Sequence, residues 1–288
     1  MTGEDLIFLN QGRRAIRCDG FLGARLRPGS GLPDVPGGVG DCMLLDFGKG
    51  FFAVSDSSDR NPSFSRAFML RFAGLLEGLP DIGSRRPFSD MERIALQAEV
   101  EFQSGKILGE RSLTESCTFT GVLILKTETG WQGLVLHTGD SLLLQYDPGA
   151  GTVRQVTQNN FWMVGRTNRF FQVEYISLTE QTRLLLATDG FSCLNAPVPG
   201  RQEDLVRKLF QEHPVEEVPD ILIDGYDVRD TAKDDLVLVS LCPARITYRD
   251  QRVILGGTTS HAERSFREEQ TTGRCEDHYV PMLKAEAA

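Results

Sequence analysis

The stretch Leu184-Leu185-Leu186-Ala187-Thr188-Asp189-Gly190-Phe191 joins a short apolar run to an aspartate and a glycine. Apolar residues over this length, bounded by a turn signal, predict a buried β-strand. Because the backbone next to a buried strand is fixed, the carboxylate of Asp189 is held with little freedom. The stretch therefore predicts a strand that ends by positioning an acidic side chain for chemistry.

Three further aspartates lie in a similar context. Asp41 follows a glycine-rich loop, Asp56 ends the apolar run 51–55, and Asp234 precedes the run 236–239. Carboxylates that converge raise one another's pKa unless a cation neutralises them. Oxygen ligands without nearby Cys or His favour Mg²⁺ or Mn²⁺ over zinc. A single aspartate at a strand end is more often a turn former or a helix cap, so the repeated context is what predicts a divalent-metal site.

The order of elements predicts an α+β fold with two packed antiparallel sheets and helices on their outer faces. A hairpin over 42–55 comes first, and helices over 64–79 and 90–108 follow. Short strands between 119 and 187, a helix over 203–212 and a strand over 236–241 complete the core. On the second helix, the spacing places Ile94, Ala98 and Phe102 on one side. We expect one domain over residues 1–255, with 256–288 as a polar tail or small extension.

Composition excludes several classes of function. The formal net charge of −9 argues against nucleic-acid binding, which needs clustered Lys and Arg. No apolar run reaches the length that a bilayer requires, and the acidic N-terminus is not a secretory signal. The six cysteines form no CxxC pair, so buried reduced thiols are expected. These features predict a cytoplasmic protein without a nucleic-acid or membrane partner.

Five segments, in this order, resemble the metal-dependent type-2C (PPM) protein Ser/Thr phosphatases. The resemblance spans roughly residues 35–242, and the LLLxSDGL-like stretch is its strongest part. The segments are Phe51–Ser57 (FAVxDG), Ser116–Ile124 (SGxTA), Leu136–Ser141 (GDS), Leu184–Phe191 (LLLxSDGL) and Lys233–Val239 (RDNxTVxVV).

The resemblance implies a central β-sandwich flanked by helices, an α-β-β-α arrangement with a two-metal site at one end. It implies that Asp56 bridges both ions, that Ser57 lends its carbonyl, and that Asp189 and Asp234 are further ligands. Asp140 matches the aspartate that helps to hold a third ion in some members. The implied activity is hydrolysis of phosphoserine or phosphothreonine in a protein substrate. Asp56 and Asp189 would act through a water activated by Mn²⁺ or Mg²⁺.

The chain departs from the family at the start of this site. Many members have a Glu-Asp pair where this chain has Gly40-Asp41, so one carboxylate is missing. The segment Gly38-Val39-Gly40-Asp41 is closer to the glycine-glycine-aspartate of bacterial sporulation and stress-response relatives, which makes Asp41 the candidate ligand. Ser57 replaces a glycine. These departures keep open a second hypothesis, a catalytically impaired type-2C-like domain that acts as a binding or regulatory module.

No arginine stands just before this segment to hold the substrate phosphate. The arginines that could do so are also explained as solvated surface charge. They are Arg13, Arg14, Arg17, Arg25 and Arg60. The chain has neither a CxxxxxR loop nor a GxSxG elbow, so Cys117 and Cys193 are expected to be small core residues and not nucleophiles.

Overall fold

Two antiparallel sheets form the centre of the chain in a computed structural model. The structure describes residues 7–8, 14–18, 20–29, 38–57, 61–79, 86–109, 115–194, 202–226 and 234–259. The first sheet has seven strands in the order β1-β2-β3-β12-β11-β8-β9, and the second has six in the order β10-β7-β6-β5-β4-β13.

The strands of the first sheet are β1 Ile7–Phe8, β2 Arg14–Cys18, β3 Leu22–Arg27, β8 Leu142–Asp147, β9 Thr152–Gln155, β11 Arg183–Ala187 and β12 Leu236–Leu241. Those of the second are β4 Val39–Asp46, β5 Phe51–Ser55, β6 Phe119–Thr127, β7 Gly130–Thr138, β10 Gln172–Leu178 and β13 Arg252–Thr258. The helices are α1 Ser63–Gly78, α2 Asp90–Leu108, α3 Gln202–Glu212 and α4 Val218–Tyr226.

The predicted hairpin is the β4–β5 pair, whose register runs from Cys42 opposite Ser55 to Asp46 opposite Phe51. Its turn ends at Gly50, where φ is +65°, a conformation that glycine adopts without steric cost.

The helices cover the outer faces of the two sheets, so the expected α-β-β-α layer order is confirmed. Helix α1 packs on β4 and β13, and α3 and α4 pack on β9 and β3. One buried apolar cluster fills the space between the sheets and beneath α3 and α4. A second lies beneath α1 and α2, where Phe68 and Phe72 of α1 contact Phe119 of β6.

Helix α2 begins as the sequence predicts, because Ser89 and Glu92 form a capping box. Ile94, Ala98 and Phe102 do lie on one side, but that side faces the solvent: Ile94 is 66% and Phe102 62% exposed. The buried face carries Leu96 and Val100 instead.

The C-terminal part of the described chain joins the second sheet. β13 pairs with β4 and runs three residues past the domain boundary expected at 255. Of the expected extension 256–288, residues 260–288 lie outside the described residues. Helix α4 was not predicted. No helix in the described ranges has the length and hydropathy needed to cross a bilayer.

Candidate metal centre

Strand register brings the five candidate aspartates to one end of the sandwich. Cys42 lies opposite Ser55, which places Asp41, inside β4, beside Asp56, directly after β5. In the first sheet Ala187 pairs with both Leu142 and Leu238. Consequently Asp140, Asp189 and Asp234, which lie just beyond these strand ends, share the same end of that sheet.

The carboxyl groups of these residues are close enough to shift one another's pKa. Burial raises the pKa of Asp56 well above its usual range, and the charges of Asp189, Asp234 and Asp140 raise it further. Burial, and then Asp234 and Asp140, raise the pKa of Asp189 to about 6. No Lys or Arg within the described ranges forms an ion pair with Asp41, Asp56, Asp140 or Asp189. The centre is therefore strongly acidic.

Asp41 is completely buried. Burial, and then the charge of Asp56, raise the pKa of Asp41 well above its usual range. The Thr188 hydroxyl donates to Asp41 Oδ2 at 2.5 Å, whereas the buried Oδ1 of Asp41 and the buried Oδ1 of Asp189 accept no hydrogen bond from any described residue. A buried carboxylate oxygen without a donor is costly, and a bound cation would satisfy it.

Position 40 cannot carry a side chain in this backbone. A Cβ built on Gly40 would lie 2.2 Å from the Ser57 carbonyl oxygen and 3.5 Å from Asp56 Oδ1. The Gly40 carbonyl, in turn, accepts a hydrogen bond of 2.6 Å from the Ser65 hydroxyl. The glycine that replaces the family's glutamate is thus required by the close approach of β4 to the Ser57 segment.

Ser57, which replaces the family's glycine, is accommodated by local hydrogen bonding. Its buried hydroxyl lies 3.0 Å from the Pro62 carbonyl oxygen and 3.2 Å from those of Gly40 and Asn61. Its amide donates to the Gly40 carbonyl at 3.3 Å. The serine therefore links the end of β5 to the start of α1, and its own carbonyl oxygen lies against Gly40.

Sequence reasoning missed Asp235, which lies next to Asp234 and is buried. Asp235 Oδ1 accepts from the Gly29 amide at 2.5 Å, and Oδ2 accepts from the Gly40 amide at 2.6 Å. This carboxylate holds the segment after β3 and the start of β4 against β12. Its place inside the RDNxTVxVV-like segment, where the family has asparagine, was the available signal.

Two threonines were also missed, and each fixes one of the candidate ligands. Thr188 connects to Asp41 as described above, and its hydroxyl accepts from the Val237 amide at 2.9 Å. The Thr118 hydroxyl accepts from the Asp56 amide at 3.0 Å, and the Thr118 amide donates to the Asp56 carbonyl at 2.8 Å. Thr118 lies within the SGxTA-like segment.

Five arginines were considered for binding the substrate phosphate. Those whose side chains the structure describes form ion pairs elsewhere and not with the candidate aspartates. Arg17 and Arg25 form ion pairs with Asp220 of α4, and Arg25 also pairs with Asp224. Because Arg25 is buried, the surface-charge interpretation is wrong for that residue. Arg13, Arg60 and the side chain of Arg14 lie outside the described residues.

The two cysteines considered as nucleophiles differ in burial. Cys117 is buried, and burial raises the pKa of its thiol far above the usual range. Its expected core position is confirmed. Cys193 is exposed, so its expected core position is wrong. It follows Asp189 in a short 3₁₀ turn, Asp189–Cys193, that leads away from β11.

The placement of the side chains sets one constraint on any metal. Within the described ranges, no group of three or more His, Cys, Asp or Glu side chains is arranged to hold a metal ion. The carboxylates act on one another electrostatically, as the raised pKa values of Asp41, Asp56 and Asp189 indicate.

Comparison with solved structures confirms the fold that the resemblance implied. The PPM Ser/Thr phosphatase MsPP from Mycobacterium smegmatis, in complex with cacodylate, is 16% identical, and the match covers 76% of this chain and 97% of that one with a TM-score of 0.53. The SiaA-PP2C domain of Pseudomonas aeruginosa is 17% identical, with 77% and 85% covered and a TM-score of 0.53. The serine/threonine phosphatase PstP/Ppp of Mycobacterium tuberculosis is 18% identical, with 77% and 98% covered and a TM-score of 0.51. The catalytic domain of the phosphatase PstP in complex with two manganese ions gives the same identity, coverage and TM-score.

No protein-family model matches the sequence, and no curated protein matches it significantly. By the structural comparisons, the chain has the PPM-type phosphatase fold, and its sequence identity to each of the compared proteins is low.

Proposed function

We propose that this protein is a metal-dependent protein Ser/Thr phosphatase. The observation that carries the proposal is a cluster of mutually interacting aspartates, within which two buried carboxylate oxygens, Asp41 Oδ1 and Asp189 Oδ1, lack a donor among the described residues. The manganese ions reported for PstP, which shares the fold, support a metal-dependent chemistry.

In this proposal Asp41, Asp56, Asp189 and Asp234 hold two divalent ions, with the Ser57 carbonyl as a further ligand. Asp140 belongs to an accessory third site. Bound Mn²⁺ or Mg²⁺ supplies positive charge for the phosphoryl oxygens and activates water for hydrolysis of phosphoserine or phosphothreonine. The donor set fits this assignment, because hard oxygen ligands suit these ions.

The protein's own contribution is to fix the carboxylates before any ion binds. Thr118 is hydrogen-bonded to both backbone groups of Asp56: its hydroxyl accepts from the Asp56 amide, and its own amide donates to the Asp56 carbonyl. Thr188 holds one oxygen of Asp41 and leaves the other for an ion. Fixed ligands lose little freedom on binding, and this favours both metal affinity and a defined position for the phosphate.

A second candidate is a catalytically impaired type-2C-like domain that acts as a binding or regulatory module. For both candidates we propose a cytoplasmic location. The steric block at Gly40 favours it, because the family's glutamate cannot be placed on this backbone. Asp41 must then supply the missing first carboxylate if the enzyme is active. Both candidates have the same acidic centre. They differ in whether the protein hydrolyses a phosphorylated substrate.

The test is hydrolysis of p-nitrophenyl phosphate and of a phosphoserine peptide, with and without Mn²⁺. We expect turnover that needs Mn²⁺ and falls by at least about a hundredfold in Asp56→Asn. Asp147→Asn, in an exposed turn, is the matched control and should keep full activity. Metal-independent turnover, or an undiminished Asp56→Asn, would overturn the mechanism. Calorimetric Mn²⁺ binding that depends on Asp56 without any turnover would favour the second candidate.

A further inference from the structure

Asp140 lies on a turn that a distant segment of the chain holds in place. The segment 156–171 joins β9 to β10, and Asn160 within it exchanges two hydrogen bonds with Gly139. The Asn160 amide donates to the Gly139 carbonyl oxygen at 2.9 Å, and the Gly139 amide donates to Asn160 Oδ1 at 3.1 Å. Since the Gly139 carbonyl belongs to the peptide group that leads into Asp140, Asn160 fixes the backbone immediately before this carboxylate.

The rest of the turn is fixed by Thr118. Gly139 has a φ of +101°, and a Cβ there would lie 2.7 Å from the Cβ of Thr118, so the turn packs directly on that residue. Buried Ser141 follows Asp140, and its hydroxyl lies 2.6 Å from the Thr118 hydroxyl. The Asp140 side chain is half-buried and is near enough to Asp189 to act on it electrostatically. The backbone of the turn is thus held on both sides of a carboxylate that belongs to the acidic centre.

The side chain of Asn160 is used at both ends by the protein. Its Oδ1 accepts a second hydrogen bond, from the Trp162 amide at 2.9 Å, and its Nδ2 donates to the Gln158 carbonyl at 2.9 Å. An oxygen that accepts from two amides beside a nitrogen that donates to a carbonyl is what an asparagine offers and an aspartate or a serine does not. Because both lone pairs of Oδ1 are occupied, Asn160 acts on the backbone and not as a metal ligand.

A buried histidine anchors this contact to the second sheet. His137 of β7 is completely buried, and its Nε2 lies 3.0 Å from the Gln158 carbonyl oxygen and 3.2 Å from Asn160 Nδ2. Its Nδ1 lies 2.8 Å from the hydroxyl of Thr120 on β6. This end of the segment therefore rests on two strands of the sandwich, and its position is set by the core.

We propose that Asn160 is a positioning residue for Asp140, which it fixes as a ligand of the accessory ion. The inference rests on the proposed function, in which Asp140 belongs to the third site, and adds a residue that the sequence analysis did not consider. A turn that contains glycine has many backbone conformations, and a mobile ligand loses more entropy when an ion binds. By selecting one conformation in advance, Asn160 strengthens the site without touching the ion.

The central test is a double-mutant cycle in Mn²⁺ binding, measured from the electron paramagnetic resonance of free Mn²⁺ during titration of the metal-free protein. Asn160→Ala and Asp140→Asn should each weaken the weakest Mn²⁺ site at least about tenfold. The double variant should bind Mn²⁺ no more weakly than Asp140→Asn alone, because Asn160 acts only through Asp140. Asn159→Ala, the same change at the exposed neighbouring residue, is the matched control and should bind Mn²⁺ as the native chain does.

Amide hydrogen exchange in the metal-free protein tests the contact without any ion. The Gly139 amide should exchange at least about fivefold faster in Asn160→Ala and at the native rate in Asn159→Ala. The amides of β6 should keep their native rates in both variants, which shows that the fold is intact. An unchanged Gly139 amide would overturn the inference. So would an equal acceleration throughout β6, since it would mean a general loss of stability.

The binding cycle separates this inference from the proposed function. Additive losses in the double variant would overturn the inference alone, since Asn160 would then act on the ions independently of Asp140. Native affinity at every site in Asp140→Asn would do the same. A native chain that binds no Mn²⁺ would overturn the proposed function and this inference with it.

Discussion

The hydroxyl of Thr188 donates to Oδ2 of Asp41 at 2.5 Å and so joins the end of β11 in one sheet to β4 in the other. The same hydroxyl accepts from the Val237 amide at 2.9 Å, which ties β12 into the contact. Three strands from two sheets therefore meet at one side chain beside the acidic centre.

Replacing Thr188 with valine keeps the shape of the side chain and removes its hydroxyl. The buried Asp41 oxygen and the Val237 amide both lose a partner, so we expect the free energy of unfolding to fall by about 1–3 kcal/mol. Thr188→Ser keeps the hydroxyl and should lose less than Thr188→Val. Urea unfolding of the three proteins measures the difference, and equal stability of the native chain and Thr188→Val would contradict the role given to the hydroxyl.

Adding a methyl group at Gly40 should destabilise the protein. The new Cβ would lie 2.2 Å from the Ser57 carbonyl oxygen, so Gly40→Ala must shift β4 or the Ser57 segment at a cost of about 1–3 kcal/mol. Gly74→Ala is the matched control, since a Cβ there meets nothing within 4 Å on α1 and should stabilise by roughly 0.5–1 kcal/mol. Thermal denaturation of both variants shows whether the two effects have opposite signs.

Asp235 should be needed for the position of Asp41, although it is not a candidate ligand. Asp235→Asn keeps one acceptor oxygen and turns an amide group toward the Gly29 or Gly40 N–H, which removes one of two hydrogen bonds. We expect a loss of about 1–2 kcal/mol in unfolding free energy and weaker Mn²⁺ binding by calorimetry. Asp235→Ala should lose more in both measurements. Unchanged Mn²⁺ affinity in both variants would show that Asp235 supports only the fold.

His137 should make the protein less stable in mild acid. Burial lowers the pKa of His137 to about 4, so the unfolded chain binds a proton that the folded protein refuses between about pH 6.5 and 4. The unfolding free energy therefore falls as pH decreases through that window, by roughly 2–3 kcal/mol at its lower end.

The measurement is the difference in unfolding free energy between pH 7 and pH 4.5 for the native chain and for His137→Gln. A comparison of variants is required because the raised pKa of Asp189 acts with the opposite sign: it lowers stability as pH rises toward about 6. We expect His137→Gln to lose less stability than the native chain on acidification. An equal loss in both would exclude His137 as the source.

Local sequence patterns were sufficient to predict most of the helices and strands of the fold. The bounds of α2 and of β11 and β12 agree with the sequence prediction because caps, turn glycines and uninterrupted apolar runs are properties of neighbouring residues. The outward face of α2 could not be assigned in this way. Both of its faces carry apolar residues at helical spacing, and only packing against the second sheet decides which is buried.

The candidate aspartates of the site were predictable from the sequence, but the residues that hold them in place were not. Asp41, Asp56, Asp189 and Asp234 each stand next to an apolar strand, a context that is visible along the chain. Asp235, Thr188 and Thr118 act through contacts with residues more than 45 positions away, so nothing beside them in sequence indicates their partners.

The sequence by itself determined the layer order and the strand ends at which carboxylates occur, because hydrophobic periodicity and turn residues act locally. Only the tertiary structure decided that Gly40 has no room for a side chain and that Asp41 faces Asp56 and Thr188. Those facts depend on how closely β4 approaches the segment after β5 in its own sheet and the end of β11 in the other sheet. The physical reason is that close packing is set by atoms brought together from different parts of the chain.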